Sequence, residues 1–434
     1  MKTPMLLRIY LGIAAAAGPV WRYALQRRIK GGKEHTTRYV EKLGTPSAKR
    51  PDKKLIWLHA VSVGEALALR SVMDDIIRER SDVSLLLTTS TLGSVEAIER
   101  IGLPPRSTHQ FAPIDHKASI TAFLDHWKPD LIVFSERDFW PGLIAWSADW
   151  AAKQRKAMLL VNSRMSHRSY NRRKRISSLY RALLPKFDKI LLQDDASQPH
   201  LESFGVNPQN MRVVGSLKNS VEALPHNTEL TRQIEQAVGS RPRWLAASTH
   251  IHECENLVGA HTLAAQTEPD LISIIAPRKP EAMEAMAQAA QDAGLITHRR
   301  SRDKLPQADT EVFIVDSLGE MGSWFRVCPI TFMGFSLASV EPKLTGKNPF
   351  EALALGCAVL HGPDFSNFQE SYTELVSKGA TRQVQSADQL AAQIAELQSI
   401  QSRQILTRQA DNFLAEKQES RRETVAAIVQ HLTA

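Results

Sequence analysis

Short apolar runs alternate with longer amphipathic stretches along most of the chain, the rhythm of buried parallel strands joined by helices. In the first half "KLIWLHAV", "VSLLLTTS", "STHQFAP", "DLIVFSE", "AMLLVNS", "KILLQD" and "MRVVGS" read as strands, with helices such as "EALALRSVMDDIIRER" and "HKASITAFLDHW" between them. The pattern restarts with "RWLAAST", "DLISIIAP", "VFIVD", "ITFMG" and "CAVLHGP". Between the two sets "KNSVEALPHN", residues 218–227, breaks the periodicity. Such alternation predicts an α/β protein of two doubly wound, Rossmann-like domains, 31–220 and 221–434, with the last helix free to return to the first domain. No short-period repeat is present, which excludes a solenoid.

Length agrees, since 434 residues exceed one ordinary core. A hydrophobic content of 43% with 23% charged residues excludes a disordered or fibrous chain. Cys254, Cys328 and Cys357 all lie in the second half without CxxC spacing, so neither a disulfide framework nor a zinc ribbon is expected, and a reducing compartment fits.

Charge changes the picture more. Lys and Arg outnumber Asp and Glu by 54 to 46, and the excess is clustered. "LGIAAAAGPVW" (11–21) follows Arg8 and precedes "RYALQRRIKGGK" (22–33). This apolar run is shorter than the ~20 residues that span a bilayer. Two readings stay open for residues 1–30: a membrane-associating helix held at a cytoplasmic face by its basic flank, or an amphipathic helix packed on its own protein. A secretory signal lacks its small-residue cleavage site. The second cluster, "RMSHRSYNRRKR" (164–175), reads as a solvated helix face or as a surface for phosphate or anionic lipid. Its only aromatic is Tyr170 and no nucleic-acid-binding motif accompanies it, so nucleic acid is not an expected partner.

In open α/β sheets ligands bind beyond the carboxyl ends of the strands, and the polar motifs lie there. Glu65 follows the first strand, "SERDFWPG" follows "DLIVF", and "GSLKNS" closes the first half. "STHIHECE", "PRKPE", "DSLGEMG" and "TGKNPFEA" occupy the corresponding loops of the second. "AVSVG", with Ser62, and "GFSLA" each lack a glycine of the hydrolase nucleophile elbow. His250, His252 and Cys254 alternate at a strand end with no downstream ligand pair for zinc. Walker and GxGxxG loops are absent, leaving helix N-termini and single Lys or Arg residues to hold phosphate. On this stretch alone Glu65 reads either as a helix-capping carboxylate or as a general base whose charge the helix dipole favours.

Taken in order, "WLHAVSVGE", "PID", "SERDFWP", "NSRMSHRS", "GSLK", "ASTH", "PRKPE", "DSLGEM", "NPFEA" and "GPDFSNFQE" resemble the Kdo (3-deoxy-D-manno-octulosonic acid) transferases of lipopolysaccharide synthesis, of the GT-B class, from about residue 6 to the last helix. The resemblance implies two Rossmann-like domains facing across a cleft, and transfer of Kdo from CMP-Kdo to a lipid A precursor (lipid IVA) with inversion. It implies no metal or other cofactor, and a peripheral or monotopic location on the cytoplasmic leaflet of the inner membrane. Glu65 would be the general base, with Glu136 and Lys218 stabilising the transition state. Donor contacts would come from Ser248, Thr249, Pro277, Arg278, Gly319, Glu320, Met321, Asn348, Pro349, Phe350 and Glu351. Ser62, Gly64, Arg164, Arg168 and Arg172 would face the acceptor. For Ser248 and Thr249 a plain helix cap is the rival role. Departures from the family pattern cluster on the donor side, where Lys279 and Lys347 replace histidines and Phe335 a glycine. They leave room for a GT-B enzyme of another nucleotide sugar, whereas a non-catalytic membrane-associated descendant has no need of Glu65, Lys218, Arg278 and Glu351 together.

Overall fold

A computed structural model describes residues 4–135, 140–217, 224–337 and 344–433. The chain divides into two compact units, one of Met1–Ser220 with Glu416–Ala434 and one of Val221–Ala415. The N-terminal segment expected at 1–30 as a separate element is counted within the first unit.

Unit 1 holds β1 (Lys54–His59), β2 (Val83–Thr89), β3 (Ser107–Phe111), β4 (Leu131–Ser135), β5 (Ala157–Ser163), β6 (Lys189–Leu192) and β7 (Met211–Val213). They form one sheet in the order β3-β2-β1-β4-β5-β6-β7, every pairing parallel. Both faces are covered, which is why the strands read as continuous apolar runs. Along β1, Trp57 faces a core shared with Phe123, Phe134 and Leu160, while Ile56 and Leu58 face one shared with Leu69, Val72 and Ile76 of the helix Val63–Glu79. The second core also takes Val425, Ile428 and Leu432 from the last helix, Ile400–Thr433.

The first two helices, Met5–Ala16 and Gly18–Lys30, meet at Ala17, with Pro19 in the first turn of the second. Leu7, Ala14 and Leu25 are buried, whereas Met5, Ile9, Ile13, Val20 and Tyr23 are exposed. Tyr10 Oη donates to Asp115 Oδ2 at 2.5 Å. The same carboxylate accepts from Gly142 N (3.1 Å) and Leu143 N (2.6 Å), satisfying the open start of the helix Pro141–Gln154. A side chain at Gly142 would collide with Asp115 Oδ1 at 2.4 Å, so the glycine permits the cap. One face of this segment packs on the protein, as the packed-helix reading expects, and the other presents apolar side chains. No helix among the described residues is long and apolar enough to cross a membrane.

Unit 2 contains β8 (Arg243–Thr249), β9 (Ile272–Pro277), β10 (Thr297–Arg299), β11 (Val312–Ile314), β12 (Ile330–Met333), β13 (Ala358–His361) and β14 (Arg382–Gln383), all parallel, in the order β10-β11-β9-β8-β12-β13-β14. The periodicity missed β10 and β14. Both are short, polar edge strands with no fully buried residue. The last helix begins in this unit, where Ala410 and Phe413 join its core.

Candidate functional site

In unit 1 the winding reverses between β1 and β4, which places the ligand crevice beyond their carboxyl ends. Beyond β1 the chain turns through Ser62 into the helix Val63–Glu79. Ser62 Oγ accepts from Glu65 N (3.3 Å), and Glu65 Oε2 accepts from Val61 N (2.9 Å). Ser62 is thus an N-cap, and Glu65, 4% exposed, is a carboxylate fixed at a helix start beside the switch point. Next to it, Ser135 ends β4. Glu136 and Lys218 lie outside the described residues. Leu217, immediately before Lys218, is held by Asn162 Oδ1, which accepts its N–H at 2.9 Å. Asn162 adopts φ 54°, a left-handed conformation that asparagine tolerates better than most residues. It is the first residue of "NSRMSHRS", and its positioning role was not read from the sequence.

The basic cluster is the short helix His167–Lys174, N-capped by Ser166, with none of its side chains buried. Arg168 and Arg172 are exposed, as is Arg164, which is paired with Asp194 at 3.1 Å. Tyr170 is stacked on His200, ring centroids 4.3 Å apart.

In unit 2 the switch point lies between β8 and β12. Ser248 sits at φ 55° on an irregularity in the β8–β9 pairing, and Thr249 is fully buried with its hydroxyl on Met286 Sδ. Neither is the cap weighed for them: His250 takes that place, accepting from His252 N, while Glu253 returns its carboxylate to His250 N at 2.7 Å. Glu253 also accepts from Phe335 N (2.9 Å), Ser336 N (3.0 Å) and Leu337 N (3.0 Å). This one buried carboxylate ties the β12 loop to the end of β8. Burial pushes its carboxyl above the ordinary range, against the pull of the backbone donors. Gly334 allows the approach, since a Cβ there would lie 2.7 Å from Thr249 Cα. The sequence reading passed over Glu253, although its spacing after His250 is that of a capping box.

Beyond β9 Pro277 is buried, while Arg278 and Lys279 are exposed. Lys347 Nζ lies 3.9 Å from the centroid of the Phe335 ring, and His250 meets the same ring edge-on at 4.6 Å. Burial first, then Arg278 and Lys279, hold the Lys347 ammonium below the usual lysine range. His250 is lowered by burial, then by His252, Lys279 and Lys347. Arg278, Lys279 and Lys347 therefore form one cationic cluster beside His250, and next to it Glu351 is raised by burial while Asn348 and Arg278 oppose the rise. Asn348 Oδ1 accepts from Phe350 N (3.2 Å), closing the turn across Pro349. Phe350 itself is 1% exposed and stacks on Phe413, so it is a core residue and only Asn348 and Glu351 of this motif are polar groups at the loop. Gly319, at φ 83°, and Met321 flank Glu320, whose carboxylate is gripped by Arg300 through two bonds of 2.9 Å. That loop offers a ligand its backbone groups, not the glutamate. At the zinc-like triplet, burial pushes the Cys254 thiol up to about 11, and among the described residues no group of three His, Cys, Asp or Glu is arranged for a metal.

Comparison with known proteins places this geometry in context. A family model described as 3-deoxy-D-manno-octulosonic-acid transferase (kdotransferase) matches residues 37–221. A probable mitochondrial 3-deoxy-D-manno-octulosonic acid transferase of Arabidopsis thaliana is 33% identical over 370 residues, 83% of this chain and 80% of that protein. The 3-deoxy-D-manno-octulosonic acid transferase of Rickettsia bellii is 29% identical over 385 residues, 89% of each. Among solved structures, the C-terminal CMP-Kdo binding domain of WaaA from Acinetobacter baumannii is similar at 28% identity and a TM-score of 0.40, covering 43% of this chain and 99% of that one.

Proposed function

The chain belongs to the Kdo transferase family of glycosyltransferases, and we propose that it works as a GT-B enzyme that moves Kdo from CMP-Kdo to a hydroxyl of a lipid A precursor, with inversion, at the cytoplasmic face of the inner membrane. The observation that carries the reading is Glu65: a buried carboxylate at a helix start beside the unit 1 switch point, where an acceptor is expected. It takes the acceptor proton as the oxygen attacks the anomeric carbon, and the bond to the CMP phosphate breaks on the opposite face. Negative charge gathering on the departing phosphate is met by Arg278, Lys279 and Lys347. Glu351 receives ribose hydroxyls, and backbone groups at Gly319–Met321 meet the pyrimidine edge. Glu136 and Lys218 keep their family roles in this proposal. No metal takes part, the cations being side chains.

Support for a membrane location comes from the exposed apolar face of the first two helices and the exposed Arg168 and Arg172. The test is transfer from CMP-Kdo, generated in situ, to a tetraacyl lipid A precursor by wild type and Glu65→Gln. Product from wild type alone, with CMP binding retained in the variant, supports the reading. Binding of CMP without transfer by either protein would overturn the acceptor or sugar assignment. A larger rise in melting temperature with UDP than with CMP would move the donor to another nucleotide sugar.

A further inference from the structure

Unit 1 contains a cavity of 240 Å³ just outside the carboxyl ends of β1 and β3. Helix Gly18–Lys30 supplies Trp21, Ala24 and Leu25 to its wall, and Ala112, Trp140 and Leu143 supply much of the rest. The charged groups on the lining are committed to one another or to the backbone. Glu34 takes Arg28 Nε at 2.7 Å and Lys42 Nζ at 2.5 Å, and Lys42 also reaches Ser90 O at 3.0 Å. Asp115 is occupied by Tyr10, Gly142 and Leu143. Among the described residues an anionic ligand would find no cation on the wall without a partner, and it would lose its hydration.

One polar atom is different. His59 ends β1 and lines the cavity; its Nδ1 is 2.9 Å from Thr88 Oγ1, but Nε2, fully enclosed, has no partner. Burial pushes the ring down to about 4, so it is a neutral imidazole at physiological pH. A buried polar atom without a partner carries a cost unless a ligand or water meets it. The described wall is therefore mostly apolar with its charged groups paired, and its volume of 240 Å³ lies a little below the ~300–1,000 Å³ typical of sites for whole drug-sized ligands. The helix that forms the wall turns Val20 and Tyr23 outward, 68% and 69% exposed, into the apolar face begun by Met5, Ile9 and Ile13.

We propose that this cavity takes one fatty acyl chain of the acceptor, drawn from the membrane along the Gly18–Lys30 helix. The assignment rests on the lipid-acceptor reading above and deepens it. Holding one chain beside the Glu65 turn places the lipid's head-group hydroxyls at the end of the sheet where the base lies.

Ala24→Phe tests this, because it fills the cavity from a half-buried helix position and touches neither Glu65 nor the donor loops. In the full chain the variant is expected to raise KM for the acylated acceptor about tenfold or more, with kcat/KM for a deacylated, water-soluble analogue unchanged. Equal loss on both acceptors would overturn the proposal. A binding readout stands beside it: a monomeric amphiphile with a brominated dodecyl chain should quench the fluorescence lost in the Trp21→Phe, Trp140→Phe double variant. That quenching should disappear in Ala24→Phe and survive Ile9→Glu, which alters only the outer face. Quenching insensitive to Ala24→Phe would place the chain elsewhere and sink the idea, even if the variant's activity were lost through misfolding. Quenching that behaves as expected with no Kdo transfer to any lipid would keep the chain site and remove the acceptor reading.

Discussion

Glu65 has an observed role as a cap and a proposed one as a base, which a single substitution can separate. As a cap it needs only an acceptor oxygen for Val61 N, which a glutamine retains; as a base it needs a carboxylate. Glu65→Gln should therefore keep a melting temperature close to wild type and lose about 100-fold or more in turnover, whereas Glu65→Ala should lose both. Loss of stability in Glu65→Gln with turnover intact would leave it a cap. On the donor side Lys347 makes a pH prediction. Its folded pKa is lowered, so its positive charge and the donor affinity it supports are present at neutral pH and lost on the alkaline side earlier than for an ordinary lysine. Donor KM should rise on the alkaline side in wild type, at lower pH than an ordinary lysine would lose its charge, and stay flat over that range in Lys347→Arg, whose guanidinium keeps its charge. A flat wild-type profile would remove Lys347 from donor binding. Phe335, under the Lys347 ammonium at φ 61°, is a bulky residue in a conformation that suits glycine, and the neighbouring Glu253 bond is what over-determines it. Glu65 was legible because a strand-to-helix joint is a local pattern. For Glu253 only the bond to His250 N was legible, as capping-box spacing; its other three partners lie more than 80 positions away and only the packed sheet brings them to it.

The same physics recurs between elements: a buried carboxylate closes orphan N–H groups of a segment distant in sequence. Asp115 serves the start of Pro141–Gln154 and holds the first helix through Tyr10, and Glu253 serves the β12 loop. Removing Glu253 would leave four backbone donors without this acceptor, two of them in buried bonds, so Glu253→Ala should cost about 3 kcal/mol or more. The change should appear as a lower melting temperature and as faster amide exchange at Phe335–Leu337, with exchange in β1 and β2 unchanged. Uniform loss of protection across both units would show that Glu253 supports more than its loop. Interior strands of both sheets were legible, since burial on two faces forces apolar runs. The edge strands β10 and β14 were not, because one-sided hydrogen bonding with little burial demands no such pattern. Phe350 and Thr249 show the converse limit. They sit inside motifs that resemble a donor site, yet the first fills the core and the second is enclosed, so proximity in sequence to a site residue did not separate lining from support.

For the whole molecule the N-terminal helices decide how a membrane claim can be tested. Deleting them would remove buried Leu7, Ala14 and Leu25 and the Tyr10 bond to Asp115, so a truncated chain would fail for reasons unrelated to lipid. Charge placed on the outer face avoids this. Ile9 and Ile13 are 49% and 65% exposed, and Glu at both positions leaves the packed face intact while opposing insertion beside anionic headgroups. A formal net charge of +8 adds a long-range attraction to such headgroups, which salt screens over a Debye length of about 8 Å at physiological ionic strength. The apolar contribution is not screened in this way, so the two should separate in a salt titration. Co-sedimentation with vesicles containing anionic lipid should fall about tenfold or more for Ile9→Glu, Ile13→Glu at both low and high salt. Arg168→Ala, Arg172→Ala should bind less tightly at low salt and approach wild type at high salt. Transfer to a deacylated acceptor in free solution should be unaffected in the isoleucine variant, since that change does not reach the Glu65 turn. If the isoleucine variant sedimented like wild type at every salt concentration, the exposed apolar face would have no part in holding this enzyme to its lipid, and the basic helix would have to carry that attachment alone.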